Sequence, residues 1–416
     1  MRKDWQYLPG SDFHLHSTAS DGTRTPVELV DKVLSQKLKA FALTDHDTLA
    51  GIPVVERYLK EKRDEGETLP RFIPGVELSV HFDEQEIHLL AYFPDGNLSS
   101  MTVFLERQRR ARVRRNLEIL AKLEQMGYAI SREDIPASRD EDASWGRLHI
   151  AEALVKKGYF EKIGHAFHDV LSVGRPAYVD RQKVRLEEAV HEVKAGGGIT
   201  VVAHPQKYGW CPDSDTNLVN PILIRKCRAL LRAGVDGIEA GHGDASSNQR
   251  DQMLTAARAF HMIYTAGSDD HGATTPHRAM YDQDTVTFPD QVMLVVCALI
   301  RDENGRILLG RRADDQILPG FYEMPGGKVK DDETNEAALK REIKEELAVD
   351  SDIGRLHSLL WHKSYDRFIA LAVYETTLEE KRPTLSVHDD LRFVSAAEAL
   401  ELNVLPADIA FLESLL

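Results

Sequence analysis

A chain of 416 residues exceeds what one hydrophobic core ordinarily supports, so its length predicts two domains. With 42% hydrophobic and 29% charged residues it has the composition of a packed protein, which excludes an intrinsically disordered chain. The formal net charge of −15 speaks against broad non-specific binding of nucleic acid.

Small phosphorylated substrates remain compatible with that charge, because bound cations reverse the field locally. The three cysteines, Cys211, Cys227 and Cys297, form no CxxC pair, which suggests a reducing compartment. The first residues carry no apolar run of signal-peptide type. No stretch approaches the roughly 20 apolar residues that span a bilayer. A cytoplasmic protein with no membrane partner is the expectation.

From residue 11 to 272, short apolar runs alternate with amphipathic helical stretches. The runs KAFALTD, GGGITVVAHP, GVDGIEAG and HMIYTAGSDDHG each end near His, Asp or Glu. Such alternation predicts a parallel sheet, and α/β barrels keep their sites at strand C-termini. Thr25-Pro26-Val27-Glu28 reads as a capping box with proline at the first helical position. Residues 98–193 are rich in arginine and helix formers. We read them as a helical insertion over the barrel mouth, and a solvated helix face explains many of the arginines equally well. Residues 282–290 read as a linker. Beyond it, QVMLVVCALI and RILLGRR flank Arg301-Asp302-Glu303-Asn304-Gly305, a hairpin turn signal. The expected domains are therefore residues 1–285 and 290–416.

In Asp12-Phe13-His14-Leu15-His16, alternate side chains of a strand share a face, so His14 and His16 point at one site. An HxH pair alone is weak evidence, since buried histidines satisfied by hydrogen bonds are common. It is joined by Asp21 in a loop, His46 in Thr44-Asp45-His46-Asp47, Glu77 in Gly75-Val76-Glu77, and His88 in EIHLLAY. His204-Pro205 and Ser268-Asp269-Asp270-His271 end two further strands. Imidazole and carboxylate donors suit Zn, Mn or Fe, and the absence of cysteine among them disfavours a structural zinc site.

The motifs DxHxHS, TDHD, GxE, HP and SDxHG, in this order, resemble the polymerase-and-histidinol-phosphatase (PHP) superfamily over the first two-thirds of the chain. In texture the chain is similar to the nucleoside 3′,5′-bisphosphate phosphatases of that superfamily, some of which trim short RNA from the 5′ end. Arg147-Leu148-His149-Ile150-Ala151 resembles their RPHIA element, with Leu148 where proline is usual. Gly237-Ile238-Glu239-Ala240, followed by His242, is also similar to theirs. The resemblance implies a distorted seven-stranded β/α barrel holding up to three ions, Mn²⁺ with Zn or Fe as alternatives. It implies His14, His16, Asp21, His46, Glu77, His88, His204, Asp269 and His271 as ligands, with Glu77 bridging two metals. Arg147 and His149 are the candidates for gripping a substrate phosphate. Clustered cations neutralise a phosphoester, orient it and make hydroxide available near neutral pH.

Further on, Met324-Pro325-Gly326-Gly327-Lys328 leads to Asp331 and Asp332, expected to start a helix. The two glycines let the backbone approach a ligand or metal. On the helix, Glu342, Glu345 and Glu346 stand at i, i+3 and i+4 on one face, where like charges repel unless a divalent cation sits between them. All-carboxylate ligation suits Mg²⁺ or Mn²⁺. Taken alone, such a triad reads as a solvated acidic face.

The full spacing is Gly327, five residues, Glu333, seven residues, Arg341-Glu342-Ile343, one residue, Glu345-Glu346. It is similar to the Nudix box, and the resemblance runs from about residue 292 to the C-terminus. It implies an α/β/α Nudix fold in which Arg341, Glu342, Glu345 and Glu346 carry catalysis. The three glutamates and Gly326 would hold the metal, and Lys328 would bind substrate. GRRADDQILPGFYEMPGGKV, the run His388 to Val394, and Pro406-Ala407-Asp408 further resemble oxidised-guanine triphosphatases and CTP pyrophosphohydrolases. Two positions depart from the family. Ala348 replaces a usual glycine, at about 1 kcal/mol if the residue is left-handed. Val387 stands where a glutamate often is, leaving Asp389 or Asp390 as substitutes.

The leading reading is two hydrolases in one chain, acting on small-molecule nucleotides, with short 5′-phosphorylated RNA as a second substrate class. The alternative is a PHP phosphoesterase or 5′–3′ exoribonuclease regulated by a non-catalytic, nucleotide-sensing Nudix domain.

Overall fold

The computed structural model describes residues 10–135, 146–180, 183–275, 289, 292–364, 367–379 and 387–416. All of the expected linker except residue 289 lies outside the described residues. Strands β1 (Ser11–Leu15), β2 (Ala40–Leu43), β3 (Arg71–Phe82), β4 (Gln85–Tyr92), β5 (Ile199–Val202), β6 (Gly237–His242) and β7 (Ile263–Gly267) form one sheet in chain order. Every residue of β1, β2 and β6 is buried, as strands covered on both faces require. The helices are α1 (Pro26–Ser35), α2 (Ile52–Asp64), α3 (Ser99–Gln125), α4 (Arg147–Lys156), α5 (Ile163–Ala166), α6 (Leu186–Ala195), α7 (Pro221–Arg232) and α8 (Ser247–Ala259). The Thr25 hydroxyl accepts from the Glu28 N–H, and the Glu28 carboxylate accepts from the Thr25 N–H, so the first helix starts on a complete capping box.

The parallel expectation fails between β3 and β4. β4 runs antiparallel to β3, with Glu77 opposite Leu90 and Ser79 opposite His88. The two residues between them, Asp83 and Glu84, have φ of 54° and 63°. Two positive φ values make the turn whose twist matches the strands. No glycine marks it, so nothing in the sequence announced it. Within residues 98–193, α3 and α4 share a small apolar core that includes Ile119, Leu123, Ile150, Leu154 and Leu171.

The chain divides into two compact units. One comprises Met1–Ser11, Val201–Ser268 and Tyr281–Leu416, and the other Asp12–Thr200 and Asp269–Met280. Helices α7 and α8 therefore belong with the C-terminal strands. These are β8 (Val292–Ile300), β9 (Ile307–Arg312), β10 (Tyr322–Glu323), β11 (Gly326–Lys328), β12 (Ser351–Ser364), β13 (Arg367–Leu378) and β14 (His388–Val394). The helices there are α9 (Asn335–Leu347), α10 (Ala396–Glu401) and α11 (Pro406–Glu413).

Residues 301–305 do turn the chain, with the Asp302 carboxylate accepting from the N–H groups of Asn304 and Arg306. They do not make a regular hairpin. β8 enters a sheet ordered β11-β8-β13-β12, whereas β9 enters one ordered β10-β9-β14. Among the described residues, an isolated antiparallel bridge joins Arg301 to Ile307, and the Asp302 N–H donates to the Arg306 carbonyl. The unbroken burial of Val296 to Ile300 marks β8 as a central strand rather than a hairpin arm. The acidic helix also starts later than expected. Thr334, not Asp331 or Asp332, caps α9, its hydroxyl accepting from the Ala337 N–H. Glu333 is instead drawn to Arg341 at 2.6 and 2.9 Å.

Within the first unit, β12 is the outer strand of its sheet, and residues 217–219 pair along it. The Val219 N–H donates to the Leu359 carbonyl (2.8 Å), and the Trp361 N–H donates to the Asn217 carbonyl (3.1 Å). Lys363 pairs with Asp251 of α8 at 2.7 Å. Buried Asn335 donates to the Ala259 carbonyl and the Tyr374 hydroxyl, both at 2.9 Å, and meets His261 Nε2 at 2.8 Å. No described helix is long and apolar enough to cross a membrane.

Candidate active sites

The end of β1 sends His14 and His16 toward one carboxylate. Glu77 Oε2 lies 3.1 Å from His14 Nε2, 3.2 Å from His16 Nε2 and 3.2 Å from His46 Nδ1. Its other oxygen lies 2.8 Å from His88 Nδ1, a contact made possible by the unforeseen hairpin. Asp269 Oδ1 lies 3.5 and 3.3 Å from the same nitrogens of His14 and His16. Asp21 lies 3.8 Å from His16, 3.7 Å from His46 and 3.3 Å from His271.

Three donor groups lie wholly within the unit Asp12–Thr200 and Asp269–Met280, each with ligand atoms within 4.8 Å of one another. They are His16, Asp21, His46 and His271; His14, His16, Glu77 and Asp269; and His46, Glu77 and His88. His16, His46 and Glu77 each belong to two groups, which is the arrangement that adjacent cations sharing ligands require. Both ring nitrogens of His16 are buried, and neither has a hydrogen-bond partner in suitable geometry. Buried imidazole nitrogens are ordinarily hydrogen-bonded, so a cation among these donors fits the observed set.

Burial and neighbouring charge pull the ionisation of these donors in opposite directions. Burial pushes the His16 imidazole down, but the Asp269 and Glu77 carboxylates outweigh it and raise it to about 9. Against its own burial, Glu77 is held well below the carboxylate range by His14 and His46. Asp21, likewise against burial, is lowered to about 2 by His271. Burial lowers His46. Asp47 and Asp269 hold left-handed backbone at φ 51° and 55°, an uncommon conformation that gathers at functional loops.

His204 is placed in the other unit. It follows β5 at φ 33°, its N–H donates to the Glu239 carboxylate at 2.8 Å, and its ring lies 5.6 Å from that of His242. Arg147 opens α4. It donates to the Leu171 carbonyl at 3.2 Å and lies 5.4 Å over the Tyr178 ring. His149 turns back on its own helix, Nδ1 accepting from the Gly146 N–H.

Two supporting residues escaped notice in the sequence. Asp45 gathers the Asp21 loop by accepting from Ser17 and Ser20. Arg112 pairs with Asp47 at 2.9 Å. The TDHD motif contained the first signal. The second was hidden in a run of similar arginines.

On α9 the glutamates are not gathered in this way. Among the described residues, no group of three ligand atoms within 4.8 Å involves this helix. Arg341 reaches Glu342 at 2.7 Å and Glu345 at 3.4 Å, and Glu345 remains exposed. Glu346 accepts the Gly326 N–H at 3.0 Å. Burial, with the Glu323 and Glu342 charges, pushes Glu346 up to about 8. A divalent cation would relieve that repulsion, so the donors fit one. A Cβ on Gly326 would meet the Val296 carbonyl at 2.1 Å, and one on Gly327 would meet the Glu342 carboxylate at 2.4 Å. Backbone neighbours make Gly326 sterically required, whereas at Gly327 a side chain would displace the Glu342 carboxylate. Arg341 takes the Lys328 carbonyl, and the Lys328 side chain is exposed.

Ala348 does adopt the left-handed conformation, at φ 56°. Val387 is exposed. Asp390 accepts from the Tyr322 hydroxyl and from Arg392, and Asp389 lies 3.8 Å from Arg311. Glu323, unmarked in the sequence, sits between Arg312 at 3.0 Å and His388 at 3.2 Å.

Residues 12–172 match the PHP domain family, and residues 292–415 match the NUDIX domain family. A 5′-3′ exoribonuclease of Haemophilus influenzae is 33% identical over 261 residues, covering 62% of this chain and 89% of that protein. A 3′,5′-nucleoside bisphosphate phosphatase of Chromobacterium violaceum is 29% identical over 260 residues, covering 62% and 86%. A CTP pyrophosphohydrolase of Escherichia coli is 34% identical over 124 residues, covering 29% and 90%. The chain therefore belongs to two hydrolase families at once, joining a PHP phosphoesterase to a NUDIX hydrolase.

Proposed function

We propose that residues 1–285 remove the 3′-phosphate from nucleoside 3′,5′-bisphosphates, with short 5′-phosphorylated RNA as a further substrate, and that residues 290–416 hydrolyse nucleoside triphosphates or other nucleoside diphosphate derivatives. The observation that carries the first half is the sharing of His16, His46 and Glu77 among three donor groups. Bound Mn²⁺, with Zn or Fe as alternatives, would neutralise the phosphoester and ease ionisation of the attacking water. His14, His16, Asp21, His46, Glu77, His88, Asp269 and His271 would hold the ions, and the family resemblance adds His204 to the candidates. Arg147 suits the substrate phosphate. No carboxylate among the described residues pairs with it, and its fork matches an oxyanion.

In the NUDIX half, Glu342, Glu345, Glu346 and the Gly326 carbonyl would hold Mg²⁺ or Mn²⁺. Arg341 orients the glutamates, and Lys328 is free to meet a phosphate. A second reading has one observation in its favour: the exposed Val387, where a carboxylate is usual. On that reading the NUDIX half senses nucleotides and regulates the barrel.

The experiment is a panel of bisphosphates, short 5′-phosphorylated RNA and triphosphates, with Mn²⁺ and with Mg²⁺, on wild type and Glu346→Gln. Two independent enzymes predict that Glu346→Gln loses triphosphate hydrolysis by orders of magnitude and keeps phosphate release by the barrel. Loss of the barrel activity in a folded Glu346→Gln protein selects the regulatory reading. Wild type inert toward the whole panel sinks both.

A further inference from the structure

Where residues 217–219 pair along β12, that stretch, the strand and α7 line a cavity of about 290 Å³. All of it lies within one compact unit. From α7 come Pro221, Ile224, Arg225 and Arg228, spaced so that they share one face of the helix. From β12 come Leu356, His357 and Ser358. Successive strand residues ordinarily alternate between faces. Here all three line one cavity because the strand is bulged. Leu356 pairs with Tyr374 and Ser358 with Val373, so His357 is the extra residue. Bulges re-aim side chains and gather beside functional sites.

The lining is cationic and apolar, with no aspartate or glutamate among its described residues. Arg225 and Arg228 are exposed at the mouth, and among the described residues neither meets a carboxylate. Arg228 instead lies 5.9 Å from the Phe260 ring centre. On the strand side, His357 Nδ1 lies 2.8 Å from Ser358 Oγ, and the imidazole stands edge-on to Phe411 at 5.5 Å. In a chain of net charge −15, two guanidinium groups and an imidazole without an acid reverse the local sign.

We propose that this cavity binds a nucleoside 5′-monophosphate, with Arg225 and Arg228 taking the phosphate through their planar forks and Ile224 and Leu356 covering apolar surface of the nucleoside. The choice of ligand rests on the function proposed above. Removing the 3′-phosphate from a 3′,5′-bisphosphate leaves a nucleoside 5′-monophosphate, and hydrolysis of a triphosphate to pyrophosphate leaves the same class of product. The volume stands at the lower end of small-molecule sites, roughly 300 Å³, which admits one nucleotide and not an RNA chain. One wall precedes the NUDIX match and the other lies inside it, so bound product ties the two segments together and stabilises the folded chain.

The experiment is calorimetry without divalent cations. Adenosine 5′-monophosphate, cytidine 5′-monophosphate, orthophosphate and adenosine are titrated into wild type, Arg225→Gln/Arg228→Gln and Arg225→Lys/Arg228→Lys. Sites elsewhere on the chain are common to all three proteins, so differences report this cavity. The double Gln variant should lose one equivalent of bound monophosphate, or hold it at least roughly tenfold more weakly, and the double Lys variant should lie between. Adenosine 5′-monophosphate should raise the Tm of wild type more than that of the double Gln variant. Both hydrolytic activities should be unchanged, which shows that the fold is kept. If the double Gln variant unfolds, the double Lys variant decides, since it keeps the charge and loses the forks. Isotherms equal to wild type in the folded variants overturn the site. Orthophosphate binding as tightly as the monophosphates overturns the nucleotide as its ligand. If wild type hydrolyses neither bisphosphates nor triphosphates, the hydrolase reading fails, and the isotherms still decide the cavity.

Discussion

The barrel and the helix α9 solve the same electrostatic problem in opposite order. In the barrel the donors already converge, buried and cross-shared, with Glu77 meeting four imidazoles. On α9 the glutamates are spread, one exposed, two engaged by Arg341, and Glu346 raised to about 8 by burial and neighbouring charge. The first arrangement was assembled by folding and waits for cations. The second would have to be drawn together by a cation. Preorganised donors spend little reorganisation on binding, so the barrel should retain its metal where the helix exchanges it.

The contrast breaks most visibly at His16. His16→Ala removes a donor common to two groups, and phosphate release from bisphosphates should fall by several orders of magnitude while far-UV circular dichroism is kept. Metal analysis after gel filtration in metal-free buffer should show cations retained by wild type and depleted in the variant. Equal activity in both proteins would return these histidines to a structural role.

A smaller effect belongs to the phosphate side. Arg147→Ala should raise KM for bisphosphates about tenfold and leave metal content unchanged, since this guanidinium is not a metal donor. A KM equal to wild type would make it a surface arginine.

The third test sharpens the electrostatics of the C-terminal half. Asp408 is buried, accepts the Met324 N–H, and is pushed up to about 7 by burial, with Glu323 adding to the shift. An acid with a raised folded pKa binds more protons folded than unfolded between its two values. Stability therefore falls as pH rises from about 4 to about 7. Asp408→Asn should flatten that part of the Tm–pH curve, and an unaltered slope would contradict it.

The smallest expected change is at Ala348, whose φ of 56° suits glycine. Ala348→Gly should stabilise by about 1 kcal/mol, read as a higher midpoint in denaturant.

Much of this was legible because it is local. The alternation of His14 and His16, the Thr25 cap and the spacing of the α9 glutamates follow from strand and helix periods alone. What was not legible depends on partners far away in the chain. The Asp83-Glu84 turn lacks glycine, and its pairing is decided by the rest of β3 and β4. β8 and β9 part company because β13 claims one and β14 the other. Glu323 gains its meaning only from Arg312 and His388. Arg112 stands out from its neighbours only through Asp47.

The strand β12 has a partner of its own, the stretch 217–219, which lies some 70 residues ahead of the NUDIX family match in the chain. Cutting the chain between the two families would leave the backbone groups of Leu359 and Trp361 facing water and would strip buried Asn335 of the Ala259 carbonyl and His261. A bare outer strand is a template for any other extended chain. The fusion is thus more than two enzymes on one string. A free-standing C-terminal half would have to find a substitute for the lost edge, by pairing with itself or by precipitating, so truncation at the family boundary should yield a self-associating fragment.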